Sequence, residues 1–283
     1  MSKIRITADS TCDLSPELIQ KYDFGIMPLL VGLGDTYYQD GIDIFPEDIY
    51  KYVAETGILP KTAAAGIPDY EAFFRRYTDK GETVIHFNIS SGFSSTHQNA
   101  CLAAEEIGEG VYVVDSRNLS TGTAHLMLDA ADMAAEGMEA AAIAEAIRKR
   151  AALVRTSCVV DTLDYLRKGG RCSAVSALGA NLLKIHPCIE VRDGLMTVGA
   201  KYRGPLPKII CQYVQDKLTG TKDIRMKNIF ITHTNCDEKI VASVRKIVEE
   251  NASFENIYIT RAGATVNSHC GKGTLGVLFE VNK

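Results

Sequence analysis

There is no tryptophan in the 283 residues, and Phe, Tyr and Trp together make up only 7% of them. Proteins that stack nucleic-acid bases need aromatic platforms, which this chain has little means to build. An excess of positive charge is missing as well. Against 35 Asp and Glu stand 31 Lys and Arg, the net charge is −4, and the cations are scattered along the chain. Nucleic acid is therefore excluded as the expected partner. No apolar run approaches the ~20 residues of a membrane span, so no stable membrane insertion is expected. The eight cysteines (12, 101, 158, 172, 188, 211, 236 and 270) include no C-x-x-C pair, so the pattern offers no zinc site and no metal or cofactor is expected. Scattered cysteines and an N-terminus, MSKIRITADS, that enters a strand pattern without a secretory leader point to the cytoplasm. A nucleotide cradle is also absent, because Gly271-Lys272-Gly273-Thr274 lacks the P-loop spacing.

What is present is a globular composition, 46% hydrophobic and 23% charged, on a chain long enough for two domains. Lys3 to Ala8 reads as a strand. Helices open at Ser15-Pro16-Glu17, at Pro46 and at Pro68, each with proline at the first turn. Apolar runs at 83–87 and 111–114 read as buried parallel strands, and Ala-rich helices follow over roughly 118–136 and 139–152. The first half is thus expected to be βαβ units on a largely parallel sheet. In the second half, β-runs from Lys184 to Val191 and from Leu195 to Ala200 flank an Asp193-Gly194 turn, the signature of a hairpin. A helix near 205–218, a strand at 228–233, a helix at 237–250, a strand at 256–261 and a last strand at 275–281 complete a mixed sheet. Two α/β domains are expected, residues 1–155 and 156–283, with a ligand tunnel between or within them.

The chemistry-bearing stretch follows the strand at 83–87. Ser90, Ser91, Ser94, Ser95 and Thr96 surround Gly92 and Phe93 ahead of a helix. A hydrolase elbow needs glycine on both sides of its serine, and here the second glycine is missing. A helix cap needs one hydroxyl, and five are supplied. Neutral donors at a helix start suit a carboxylate or phosphate, with Gly92 letting backbone come close to the ligand. Hydroxyls also follow the first strand (Asp9-Ser10-Thr11) and the strand ending at Asp115-Ser116. The carboxyl ends of strands form the ligand crevice of an open α/β sheet, so these loops are expected to converge.

These segments carry a resemblance. Asp9-Ser10-Thr11-x-Asp13-Leu14, the serine loop at 89–96, Asp164-Tyr165-Leu166-x-Lys168-Gly169-Gly170-Arg171 and His269-x-Gly271-Lys272-Gly273 resemble, in order, the motifs of the DegV family, the bacterial fatty-acid-binding proteins. The Y-L-x-K-G-G-R run is the most specific of them. The chain departs from the family pattern at Ala63-Ala64-Ala65, where a serine is lost after Thr62, at Ser95 in place of glycine, and at Lys272 in place of proline.

The resemblance implies a long-chain fatty acid in a buried tunnel, its carboxylate held by Thr62, Ser91, Ser94, Ser95 and His269. It also implies a carrier with no catalytic residues of its own, which presents the carboxylate to a separate ATP-dependent kinase subunit for acyl-phosphate formation in phospholipid metabolism. Arg171 and Arg203 are the expected partner-contact residues. On residues alone, Arg171 equally suits a helix C-terminus, and Cys172 and Cys270 suit buried apolar filler. The rival reading is a serine-dependent acyl hydrolase using Ser94, His269 and Asp9.

Overall fold

The computed structural model describes residues 3–176 and 185–282. Its first helix starts as the residues dictate. Ser15 Oγ accepts from Leu18 N at 3.4 Å, and Pro16 opens Pro16–Tyr22. Strands Ile4–Asp9 and Thr83–Asn88 are almost wholly buried, as continuous apolar runs between helix layers should be. They lie at the centre of a four-stranded, all-parallel sheet. Gly25–Met27 flanks Ile4–Asp9 on one side, and Val111–Asp115 flanks Thr83–Asn88 on the other. The chain leaves the central pair in opposite directions, so the topological switch point lies between the carboxyl ends of Ile4–Asp9 and Thr83–Asn88.

The second sheet has six strands and mixed direction. Leu195–Arg203, Ile185–Arg192, Val154–Val159, Leu275–Val281, Ile224–His233 and Asn256–Arg261 follow one another across it. Asp193 at φ 51° and Gly194 at φ 80° make the expected hairpin turn. The expected start of that hairpin, Lys184, lies outside the described residues. Side chains alternate across this sheet. Ile229, Ile231, Val277 and Phe279 pack with helices Leu206–Gly220 and Glu238–Asn251, whereas Phe230 and Leu278 join the other face. There they meet Leu126, Met127 and Ala130 of the buried helix Thr121–Ala135, and through it Ile6, Ile85 and Phe87 of the parallel sheet. One hydrophobic cluster therefore connects the two sheets.

Strands Gly25–Met27, Leu30–Leu33, Thr36–Gln39 and Val154–Val159 were not read from the sequence, and two further differences bear on the site. Lys61–Ala63, not read as a strand, is an edge strand of a three-stranded antiparallel sheet with Leu30–Leu33 and Thr36–Gln39. Strands this short carry too few residues for a period to show. A seven-residue helix, Ala264–Cys270, also went unread. Although it comes from the second half of the chain, it packs against Pro46–Thr56, Leu30–Leu33 and Lys61–Ala63 of the first. Carboxylates of the first half cap it: Asp13 Oδ1 accepts from Gly263 N at 2.7 Å, and Asp40 accepts from Ala264 N at 2.8 Å and Thr265 N at 3.2 Å. Among the described residues no helix is long and apolar enough to cross a membrane.

Candidate functional site

Asp9 sets the geometry at the switch point. Its carboxylate accepts from Thr11 N at 3.1 Å and from the Thr11 hydroxyl on its own loop, and from Ile89 N at 2.8 Å on the other. Burial raises its pKa to about 6 against these hydrogen bonds. The two loops, fastened together, form one wall of a cavity lined by Thr11, Thr62, Ser94, Arg171, Thr265 and His269 among others. Thr62 arrives on the edge strand Lys61–Ala63, and His269 on the capped helix Ala264–Cys270. Their side chains meet, Thr62 Oγ1 to His269 Nε2, at 2.8 Å. Desolvation, with a smaller contribution from the charge of Arg171, lowers the His269 pKa to about 4, so the ring is neutral at pH 7. Its Nδ1 is shut away from solvent without a hydrogen-bond partner.

The five loop hydroxyls do not act together. Ser94 is half-buried and lines the cavity, its Oγ 2.5 Å from Thr96 Oγ1. Ser91 and Ser95 are not brought there, which corrects the reading of the loop as a single cradle. Ser91 is exposed and donates to Asp115 Oδ2 at 2.6 Å. Ser95 is exposed at the start of helix Thr96–Ile107 and makes no side-chain cap. Ser90 is buried and donates to Gly194 O at 2.7 Å. Gly92 serves the same hairpin: a Cβ there would lie 2.5 Å from Gly194 O, so its missing side chain admits the turn rather than a ligand.

Arg171 follows Gly170, which caps helix Asp164–Gly169 at φ 69°, and its guanidinium donates to Gly169 O at 2.7 Å. It is exposed, yet it also lines the cavity, so it stands at the rim. Arg203 is exposed at the end of strand Leu195–Arg203 and does not line this cavity. Thr265 was missed by the sequence reading. It is buried, its hydroxyl has no partner, and it lies four residues before His269 on the same helix face, the spacing that could have revealed it. Ala63 and Ala64 also line the cavity, so the lost serine removes a hydroxyl from its wall.

A second cavity adjoins the first along the six-stranded sheet, walled by Cys158, Leu166, Ile189, Met196, Val266, Leu278 and neighbouring threonines. Hydroxyls of those threonines are engaged elsewhere: Thr156 with Asn118, Thr232 with Thr121 and Thr260, Thr274 with Cys270 O. Cys270 borders both cavities, and burial pushes its thiol pKa up to about 12, which makes it an inert wall.

The hydrolase arrangement is not assembled. Nucleophile, base and orienting acid must be joined by hydrogen bonds. Here Ser94 pairs with Thr96, His269 Nε2 with Thr62, and Asp9 with Thr11 and Ile89, while His269 Nδ1 meets no acid.

Two α/β sheets, with a cavity that carries a cluster of polar side chains beside a second, almost wholly apolar one, define the class. The chain belongs to the DegV family, whose model, described as an uncharacterised protein of that family, matches residues 3–282. A DegV domain-containing protein of Clostridium acetobutylicum is 30% identical over 99% of both chains. Among solved structures, a DegV family protein of Thermus thermophilus described for its fatty acid binding superposes with a TM-score of 0.91 at 26% identity, over 99% of each chain. A Thermotoga maritima protein whose structure reveals a fatty acid binding function gives 0.86 at 27% identity, over 99% of this chain and 100% of the other.

Proposed function

We propose that this protein is a carrier that binds a long-chain fatty acid, with the carboxylate at the mouth and the chain in the inner cavity. The observation that carries the reading is that a cavity bearing the polar groups of Thr62, Ser94, Thr265 and His269 adjoins one whose exposed wall is almost wholly apolar. Burying a carboxylate is costly unless it is hydrogen-bonded, and neutral donors meet that cost within the cavity while the Arg171 charge stays at its rim. The apolar chain supplies the affinity, at about 0.8 kcal/mol for each methylene buried. The fatty acid binding described for the Thermus and Thermotoga relatives supports the same ligand class. Native mass spectrometry of freshly purified protein, followed by delipidation and reloading with palmitate or oleate, tests it. Protein that is isolated empty and takes up neither acid overturns it.

The further step in this reading is presentation of the carboxylate to a separate ATP-dependent kinase for acyl-phosphate formation, in the cytoplasm and ahead of phospholipid synthesis. Its support is the position of Arg171, exposed at the rim beside the carboxylate site, together with a sequence that carries no P-loop. Arg203 is proposed as an outlying part of the same partner contact. The division into domains 1–155 and 156–283 belongs to this reading too, with the pocket between them.

A further inference from the structure

Leu119, Met196, Val266 and Cys270 line both chambers and so stand at the boundary between them, the neck that a chain reaching from one to the other must pass. Val266 and Cys270 lie four residues apart, on one face of helix Ala264–Cys270. One is β-branched and the other short, and both are buried, so this wall is stiff. Leu119 comes from the loop before helix Thr121–Ala135. Met196 enters from strand Leu195–Arg203 and is half-buried. It is the longest of the four side chains, so its truncation takes the most volume out of the neck.

The backbone that carries Met196 is fastened down. Met196 pairs with Val191 across the hairpin, and Ser90 Oγ donates to Gly194 O at 2.7 Å. Arg117 Nη2 donates to Asp193 O at 2.9 Å, and Leu195 lies close against Gly92. The serine loop that borders the head chamber thus holds the hairpin that borders the neck. We infer that Met196 selects the acyl chain by cross-section. It passes a straight saturated chain and resists one whose cis double bond or methyl branch falls at the neck.

This inference rests on the fatty-acid reading above, and the experiment separates the two. Delipidated protein is offered palmitate in competition with oleate and with a methyl-branched chain of equal length, and bound acids are counted by native mass spectrometry. The parent is expected to favour palmitate. Met196→Ala, which widens the neck, should lower that preference by about tenfold or more, the range that one methylene commands in an apolar pocket. Met196→Leu should shift it the same way by less, and gives the readout if the alanine variant binds nothing. A parent without preference, or variants that bind palmitate and keep the parental ratio, overturn the selection by Met196. A parent that binds no fatty acid at all overturns the lipid reading instead.

Discussion

Thr62 Oγ1 lies 2.8 Å from His269 Nε2 although 207 positions separate the two residues in the chain. Strand Lys61–Ala63 and helix Ala264–Cys270 bring them together, and Asp13 and Asp40 hold that helix in place. The polar mouth is therefore a product of the whole fold, and it can be taken apart one hydroxyl at a time.

Thr62→Val keeps the shape of the side chain and removes its hydroxyl, which leaves His269 without its partner. Ser94→Ala removes a second hydroxyl from the lining of the same cavity. Each is expected to weaken fatty-acid binding by about 1–3 kcal/mol, the loss when a charged acceptor is deprived of a donor. Circular dichroism should show the fold intact. Parental affinity in both variants places the carboxylate elsewhere.

Arg171 stands at the rim, and its charge helps to lower the His269 pKa. Arg171→Ala should therefore raise the His269 pKa, a shift read by NMR titration of the imidazole. The same variant should retain fatty acid and lose most acyl-phosphate formation with the cognate kinase. Loss of lipid would make the guanidinium part of the head-group site, and unchanged phosphorylation would leave it only the role of bonding Gly169 O.

Much of the fold is legible in the sequence because long elements carry a period. The strands at 83–87 and 111–114 and the helix at 237–250 fall within a residue or two of Thr83–Asn88, Val111–Asp115 and Glu238–Asn251. What escaped includes strands Gly25–Met27, Leu30–Leu33, Thr36–Gln39 and Val154–Val159 and two short elements at the site, strand Lys61–Ala63 and helix Ala264–Cys270. These two carry Thr62 and His269, so the site residues could be named from family motifs but not placed by pattern. The loop hydroxyls were over-read for a related reason. Composition counts five donors, whereas the structure spends Ser90 on Gly194 and Ser91 on Asp115. Only the tertiary arrangement tells a donor facing a cavity from one already in use.

Acid should destabilise the fold through its buried histidines. Burial lowers His269 to about 4, His125 to about 4 and His86 to about 3. An unfolded histidine takes its proton near pH 6.5, while these resist until well below it. Between about pH 6.5 and 4 the unfolded state therefore binds more protons, and stability falls as pH falls. Asp9 and Asp13, raised to about 6 and about 8, act in the opposite sense, so parent and variant must be compared. Burial lowers His97 and His233 too, and His269→Gln removes one of these histidine contributions. Its Tm should drop less than the parent's between pH 7 and pH 5, and an equal drop would show that His269 titrates as an exposed ring.

Two adjacent glycines separate support of the site from stability of the chain. A Cβ on Gly169 would lie 2.5 Å from His269 Nδ1, whereas one on Gly170 would meet nothing within 4 Å. Gly169 is the last residue of helix Asp164–Gly169, where alanine fits the backbone, so the cost of Gly169→Ala falls on the imidazole. The ring must shift, its bond to Thr62 is lost, and fatty-acid affinity should drop with little change in Tm. Gly170 instead has φ 69°, the left-handed cap conformation that costs an alanine about 1–2 kcal/mol. Gly170→Ala should lower Tm and leave affinity at the parental level. Thermal melts and palmitate titrations on both variants decide the matter. If Gly169→Ala binds like the parent, the packing of Gly169 on His269 has no part in holding the ligand.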